Sequence, residues 1–158
     1  MIGFKAKVIG LDKGSTLELY RMNLASGGLV QKTIDKSVID WSQQYCPFET
    51  GTLSRSPYTA TVIGSGQVIY PGPYARYLYY GEVYGPNIPI FEDNSGEPTA
   101  FFSPPGKKKH PTGRALDFSK SQARGSPLAG PYWFERMKAD HLQDIIEEAK
   151  AVAAGNNP

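Results

Sequence analysis

The run Lys107-Lys108-Lys109-His110, followed by Arg114, Lys120 and Arg124, is the densest group of side chains able to do chemistry in this chain. An imidazole that can exchange a proton near neutral pH, set among cations that can hold a phosphate, suits phosphodiester cleavage. A small ribonuclease-like enzyme built on Lys107, His110 and Arg114 is therefore one expectation. Against it stands the lack of a second convergent acid or base. From Pro104 to Arg124 six Lys and Arg accompany a single acid, Asp117, giving a local charge of +5. Contact with phosphate or with an acidic partner surface, through charge and without sequence readout, asks less of these residues.

Other reactive side chains assemble nothing further. His110 and His141 share no metal-ligand spacing with Cys46, and His141 falls on the apolar stripe of a predicted helix. Cys46 precedes a proline at a helix end and reads as a small buried hydrophobe. Glu92-Asp93 and Glu147-Glu148 look like solvated charge, and Gly106-Lys107-Lys108 lacks the remaining residues of a phosphate loop. No catalytic, metal-binding or cofactor-binding residue is expected, and no cofactor. An aromatic-lined ligand pocket around Tyr74–Tyr80 is a third reading.

The chain of 158 residues has a net charge of +2. That length fits one domain, 1–158, and the near-neutral balance excludes a polybasic nucleic-acid coat. No membrane span or signal peptide is expected, and the lone cysteine suits synthesis in the cytosol. Twelve of the thirteen prolines lie from Pro47 through Pro131. Strands and loops in the middle, framed by helices, follow from that distribution.

A short strand is predicted from Phe4, Ala6 and Val8, then a turn over 10–15 and a little helix over 16–22. Val30, Ile34, Val38, Trp41 and Tyr45 form one apolar stripe of a helix that Pro47 ends. Tyr58–Ile63 and Gln67–Tyr70, separated by Gly64-Ser65-Gly66, read as a hairpin. The tyrosine run should be a helical turn leading into a strand near Glu82 and Val83. Residues 85–130 read as a long irregular insertion, with small strands at 99–103 and 114–118. Phe134, Met137, His141, Ile145, Ala149 and Val152 mark a closing helix over 131–154, with a frayed tail at 155–158. Trp41 and Phe134 are expected to be largely buried. The fold class is α+β: an antiparallel sheet packed against an N-terminal and a C-terminal helix.

Tyr74-Ala75-Arg76-Tyr77-Leu78-Tyr79-Tyr80-Gly81 holds four tyrosines in seven residues. Aromatics at that density bury large areas while keeping a polar edge, which suits a packed contact that still touches water. Upstream stand Pro47, Phe48, Thr50, Gly51, Leu53 and Ser56; downstream stand Trp133, Phe134 and Met137. In this order the three motifs resemble the minor capsid proteins of siphophages and prophages, related to head–tail joining and tail-completion proteins of the neck. The similarity covers roughly residues 20–150.

The resemblance implies a small α+β domain without catalytic activity that assembles into a homo-oligomeric ring in the virion. It implies other neck, connector or tail-tube proteins as partners, and assembly in the host cytoplasm. Pro47, Thr50, Gly51, Leu53, Tyr74, Ala75, Gly81, Trp133 and Phe134 would then be structural motif positions. Tyr77, Tyr79, Tyr80, Lys107, Lys108, Lys109 and Arg114 are the expected subunit or partner interface, with non-specific DNA-backbone contact open to the lysines.

Overall fold

Val30, Ile34, Val38 and Trp41 recur at helical spacing, and Leu29–Ser42 forms helix α1 in the computed structural model, which describes residues 2–5, 26–92, 96 and 98–154. The expected turn at 10–15, the helix at 16–22 and the tail at 155–158 lie outside the described residues. The chain turns after α1 through Cys46, whose N–H donates to the Ser42 carbonyl at 2.9 Å, and reaches Pro47.

Gly51 then adopts φ 80°, a left-handed conformation, and a second helix, α2, follows over Thr52–Ala60. A Cβ at Gly51 would lie 2.9 Å from the Phe48 ring, so the turn needs glycine for space as well as for φ. Pro57 sits inside α2 and cannot donate to the Leu53 carbonyl; the Ser56 hydroxyl does so instead at 2.7 Å. The predicted hairpin is thereby corrected. Its first half, Tyr58–Ala60, closes a helix, and Gln67–Tyr70 (β2) pairs antiparallel with Ile2–Lys5 (β1), Ile2 opposite Tyr70 and Lys5 opposite Gln67. The β-rich run Tyr58–Ile63 follows a helix start at Gly51-Thr52, and the helix overrides the propensity of its first three residues, up to Ala60, before Thr61 turns extended.

The glycine turn at 64–66 survives in another role. Buried Asp35 of α1 accepts hydrogen bonds from Gly64 N–H at 2.7 Å and Gly66 N–H at 3.1 Å, and from Gln31 Nε2 at 2.8 Å. The turn thus fastens the link from α2 to β2 onto α1. Hydrogen bonds to a buried carboxylate are worth about 1.5–3 kcal/mol. Asp35→Ala is expected to lower stability by about that amount, and Asp35→Asn by less; urea melts of the two variants check it.

Ala75–Tyr80 forms helix α3, ended by Gly81 at φ 69°. A Cβ at Gly81 would lie 2.6 Å from Pro131, so the close approach of these segments requires glycine. Beyond it the chain builds four strands: β3 (Glu82–Gly85), β4 (Ile88–Ile90), β5 (Ala100–Phe102) and β6 (His110–Ala115). β3 pairs with β6 and β4 with β5, both antiparallel, so the two ladders nest into one arm. This corrects the irregular insertion: much of 85–130 is a β-arm, and its last strand begins four residues before the predicted Arg114. Each strand is three to six residues long, too short for a clear alternation to show. A short helix, α4 (Ser119–Ala123), and the closing helix α5 (Trp133–Ala153) complete an α+β fold with three two-stranded antiparallel sheets.

The core lies where α1, β2, α3 and α5 meet. Trp133, Ile39, Met137, Tyr70, Tyr45, Cys46, Val68 and Tyr79 are buried there. Along α5 the predicted stripe holds at Met137, Ile145 and Val152, but Trp133 heads it. Phe134 and Trp41 are only half-buried, contrary to expectation. Tyr132, at φ 50°, caps the helix, and its N–H donates to the Tyr79 carbonyl at 2.7 Å. With that bond in place, Trp133 turns inward and Phe134 lies at the edge of the core. Between the two long helices the Tyr45 hydroxyl donates to Asp140 at 2.6 Å, the Ser37 hydroxyl donates to Glu148, and Trp41 stacks on His141 at 3.9 Å.

Candidate partner interface

The tyrosine run divides between core and surface because a helix of six residues offers each tyrosine a different direction. Tyr79 is buried, edge-on to Trp133 at 4.8 Å and to Tyr132 at 5.5 Å. Burial, with Glu135 and two neighbouring tyrosines, pushes its phenol up to about 12. Its place in the expected interface is therefore corrected: Tyr79 is a core residue. Tyr77 is half-buried against Tyr84, ring centroids 4.5 Å apart. Tyr80 is exposed with the Arg76 guanidinium 6.0 Å from its ring centre, and Tyr74 is more exposed still.

The basic cluster divides as well. Lys107 and Lys108 are exposed at the bend before β6, as is Arg114 on that strand. Lys109 is half-buried, and its ammonium donates to the Pro86 carbonyl at 2.7 Å and to Asn87 Oδ1. It braces the arm rather than standing free. His110 is exposed, and its side chain has no hydrogen bond or ion pair among the described residues. Of the acids on α5, Asp140, Asp144 and Glu148 are engaged by Tyr45, His141 and Ser37 of the same chain. His141 is half-buried, stacked and paired with Asp144 at 2.8 Å.

Two surface depressions flank Tyr74, Leu78 and Leu116. One, a groove of about 450 Å³, is bordered by Pro47, Thr50, Gly51, Leu53, Tyr74 and Ala75 together with Phe48, Phe118, Lys120 and Arg124. Six motif positions from two stretches about twenty residues apart thus meet on one surface. The other, a cleft of about 490 Å³, lies beneath the arm, where Tyr77, Tyr84, Phe101 and Lys109 line it. Gly81 and Trp133 hold this surface from within, and Phe134 lies at the core's edge.

What the residue reading missed is the apolar display on the arm. Ile88, Ile90, Phe91, Phe101 and Phe102 are all exposed. The runs Ile88-Pro89-Ile90-Phe91 and Ala100-Phe101-Phe102 carried the signal, since single exposed apolar residues are ordinary but a cluster marks a contact. No group of three or more His, Cys, Asp or Glu among the described residues could hold a metal ion. Cys46 is fully buried, which pushes its thiol up to about 12. Among the described residues no helix is long and apolar enough to cross a membrane.

No family model, curated protein or solved structure matches this chain.

Proposed function

We propose that this chain is a structural protein of a tailed-bacteriophage virion, one subunit of the neck ring that joins capsid to tail. The observation that carries the reading is an arm with an uncovered apolar surface, mounted on a packed core beside a groove bordered by the motif residues. A free monomer gains nothing from exposing such a surface, whereas a ring subunit uses it at every joint. Lys107 and Lys108, exposed on the same arm, supply charge for an acidic neighbour or for the backbone of passing DNA.

Deleting the gene from the phage or prophage that encodes it is the test. Full heads and finished tails that stay unjoined, with joining restored by supplying the chain, are the expected result. Normal particles without it would refute the neck assignment. Reproducible ribonuclease turnover by the purified chain, lost on His110→Ala, would promote the ribonuclease-like reading instead.

A further inference from the structure

The β4–β5 ribbon has two unlike faces. Ile88 stands opposite Phe102, Ile90 opposite Ala100, and Pro89 opposite Phe101. Opposed residues of an antiparallel pair share a face, and successive residues alternate. Ile88, Ile90, Ala100 and Phe102 therefore make one face, while Phe101 and Pro89 make the other. Phe101 borders the cleft with Tyr77 and Tyr84 of its own chain, though it is itself 62 % exposed. The opposite face is open too, and carries more large apolar side chains: Ile88 is 51 %, Ile90 41 % and Phe102 49 % exposed. Three large side chains about half in water amount to on the order of 300 Å² of apolar surface, the size of the largest patch on an ordinary monomer, which is often functional.

The same molecule carries an apolar groove elsewhere on its surface. Phe48, Leu53, Leu78 and Phe118, all half-buried, give the 450 Å³ groove an apolar floor. Its rim carries both signs of charge, Glu49 and Asp117 as well as Lys120 and Arg124. The ribbon is likewise flanked by both: Lys107 and Lys108 at the neighbouring bend, Glu92 just past β4. Hydrogen bonds from Ser119 hold the Asp117 carboxyl below its ordinary range, so that acid is charged at neutral pH.

We infer that the face of the β4–β5 ribbon that carries Ile88, Ile90 and Phe102 docks into the Phe48–Leu53–Phe118 groove of a second copy of this chain. This rests on the ring reading and specifies which two surfaces meet in it. The ribbon and groove are different surfaces, so the contact is head to tail and closes into a ring when the rotation allows. A stable dimer covers roughly 800 Å² per partner, well above what one ribbon face supplies. Two free copies therefore meet weakly, and the contact becomes firm only when each subunit both gives an arm and receives one.

Cysteine pairing in the purified full chain tests this without requiring a stable oligomer. Cys46 is the only native cysteine and is buried, so introduced thiols alone react. Ala100→Cys places a thiol on that ribbon face and Thr52→Cys places one at the groove, in separate, differently tagged proteins that are mixed and oxidised. Heterodimer should form about tenfold faster than with a control pair of Ala100→Cys and Ala151→Cys on exposed α5, because docking raises the local thiol concentration. Adding Ile88→Glu and Phe102→Glu to the ribbon protein should return the rate to the control value. Equal rates for the two pairs overturn the arm-to-groove contact, and so does an excess rate that survives those glutamates. Either result leaves the neck reading standing as long as gene deletion still leaves heads and tails unjoined; normal particles without the gene sink that reading whatever the cysteines show.

Discussion

Trp133→Ala is expected to lower the free energy of unfolding by about 3–5 kcal/mol, the range for removing a large aromatic from a packed core. Trp133 is fully buried and sits edge-on to Tyr70 at 5.5 Å and to Tyr79 at 4.8 Å. The Tyr70 hydroxyl lies beside Ser42 and Trp133, and burial keeps its proton on well beyond the ordinary range. Removing the indole therefore opens a cavity where α1, β2, α3 and α5 converge, and each of those elements loses contacts. Trp41→Ala is the control. Its ring is half-buried and stacked on His141, so it loses less area from water and its neighbour can move into the space. Urea denaturation of both variants reads the difference. Equal losses would mean that the core is not centred on Trp133.

Lys107→Glu with Lys108→Glu and Phe102→Ser is expected to cost no more than about 1–2 kcal/mol of stability, since both lysines are exposed and Phe102 is half in water. On the proposed neck role, phage carrying the same variant should fail to join heads to tails, with infectious particles falling on the order of a hundredfold. One interface hot spot is worth about 2 kcal/mol or more, and opposed charges add to the loss at each joint of a ring. Tyr79→Ala and Lys109→Glu are kept out of this variant on purpose. Tyr79 packs on Trp133 and Lys109 braces the arm, so either change would confound assembly with folding. Particle counts and thermal melts of the same protein decide it: normal particles from a folded variant would remove the arm from the joint.

The two long helices were legible in the residues because amphipathic repeats at Val30–Trp41 and Met137–Val152 run over many turns, and a long repeat outweighs local noise. Gly51 and Gly81 stood out as motif residues, but the structure supplies the reason: only glycine relieves both a positive φ and a near contact at these positions. The tyrosine run announced packing, and its helix-then-strand course was correctly read. The partner of β2 was hidden, because a strand of four residues says nothing of what it pairs with, and Gly64-Ser65-Gly66 serves a helix-to-strand link as well as a hairpin. Nothing in the sequence marks Asp35 for burial; the arrival of that turn from some thirty residues away buries it and supplies its partners. Tyr79 and Tyr80 are adjacent and chemically alike, yet one is core and one surface, since the placement of α5 against α3 selects which ring meets Trp133. The arm depends most on tertiary context. Its strands carry too few residues to show a period, and their pairing, hence the open apolar face, comes from contacts between segments that local sequence does not encode.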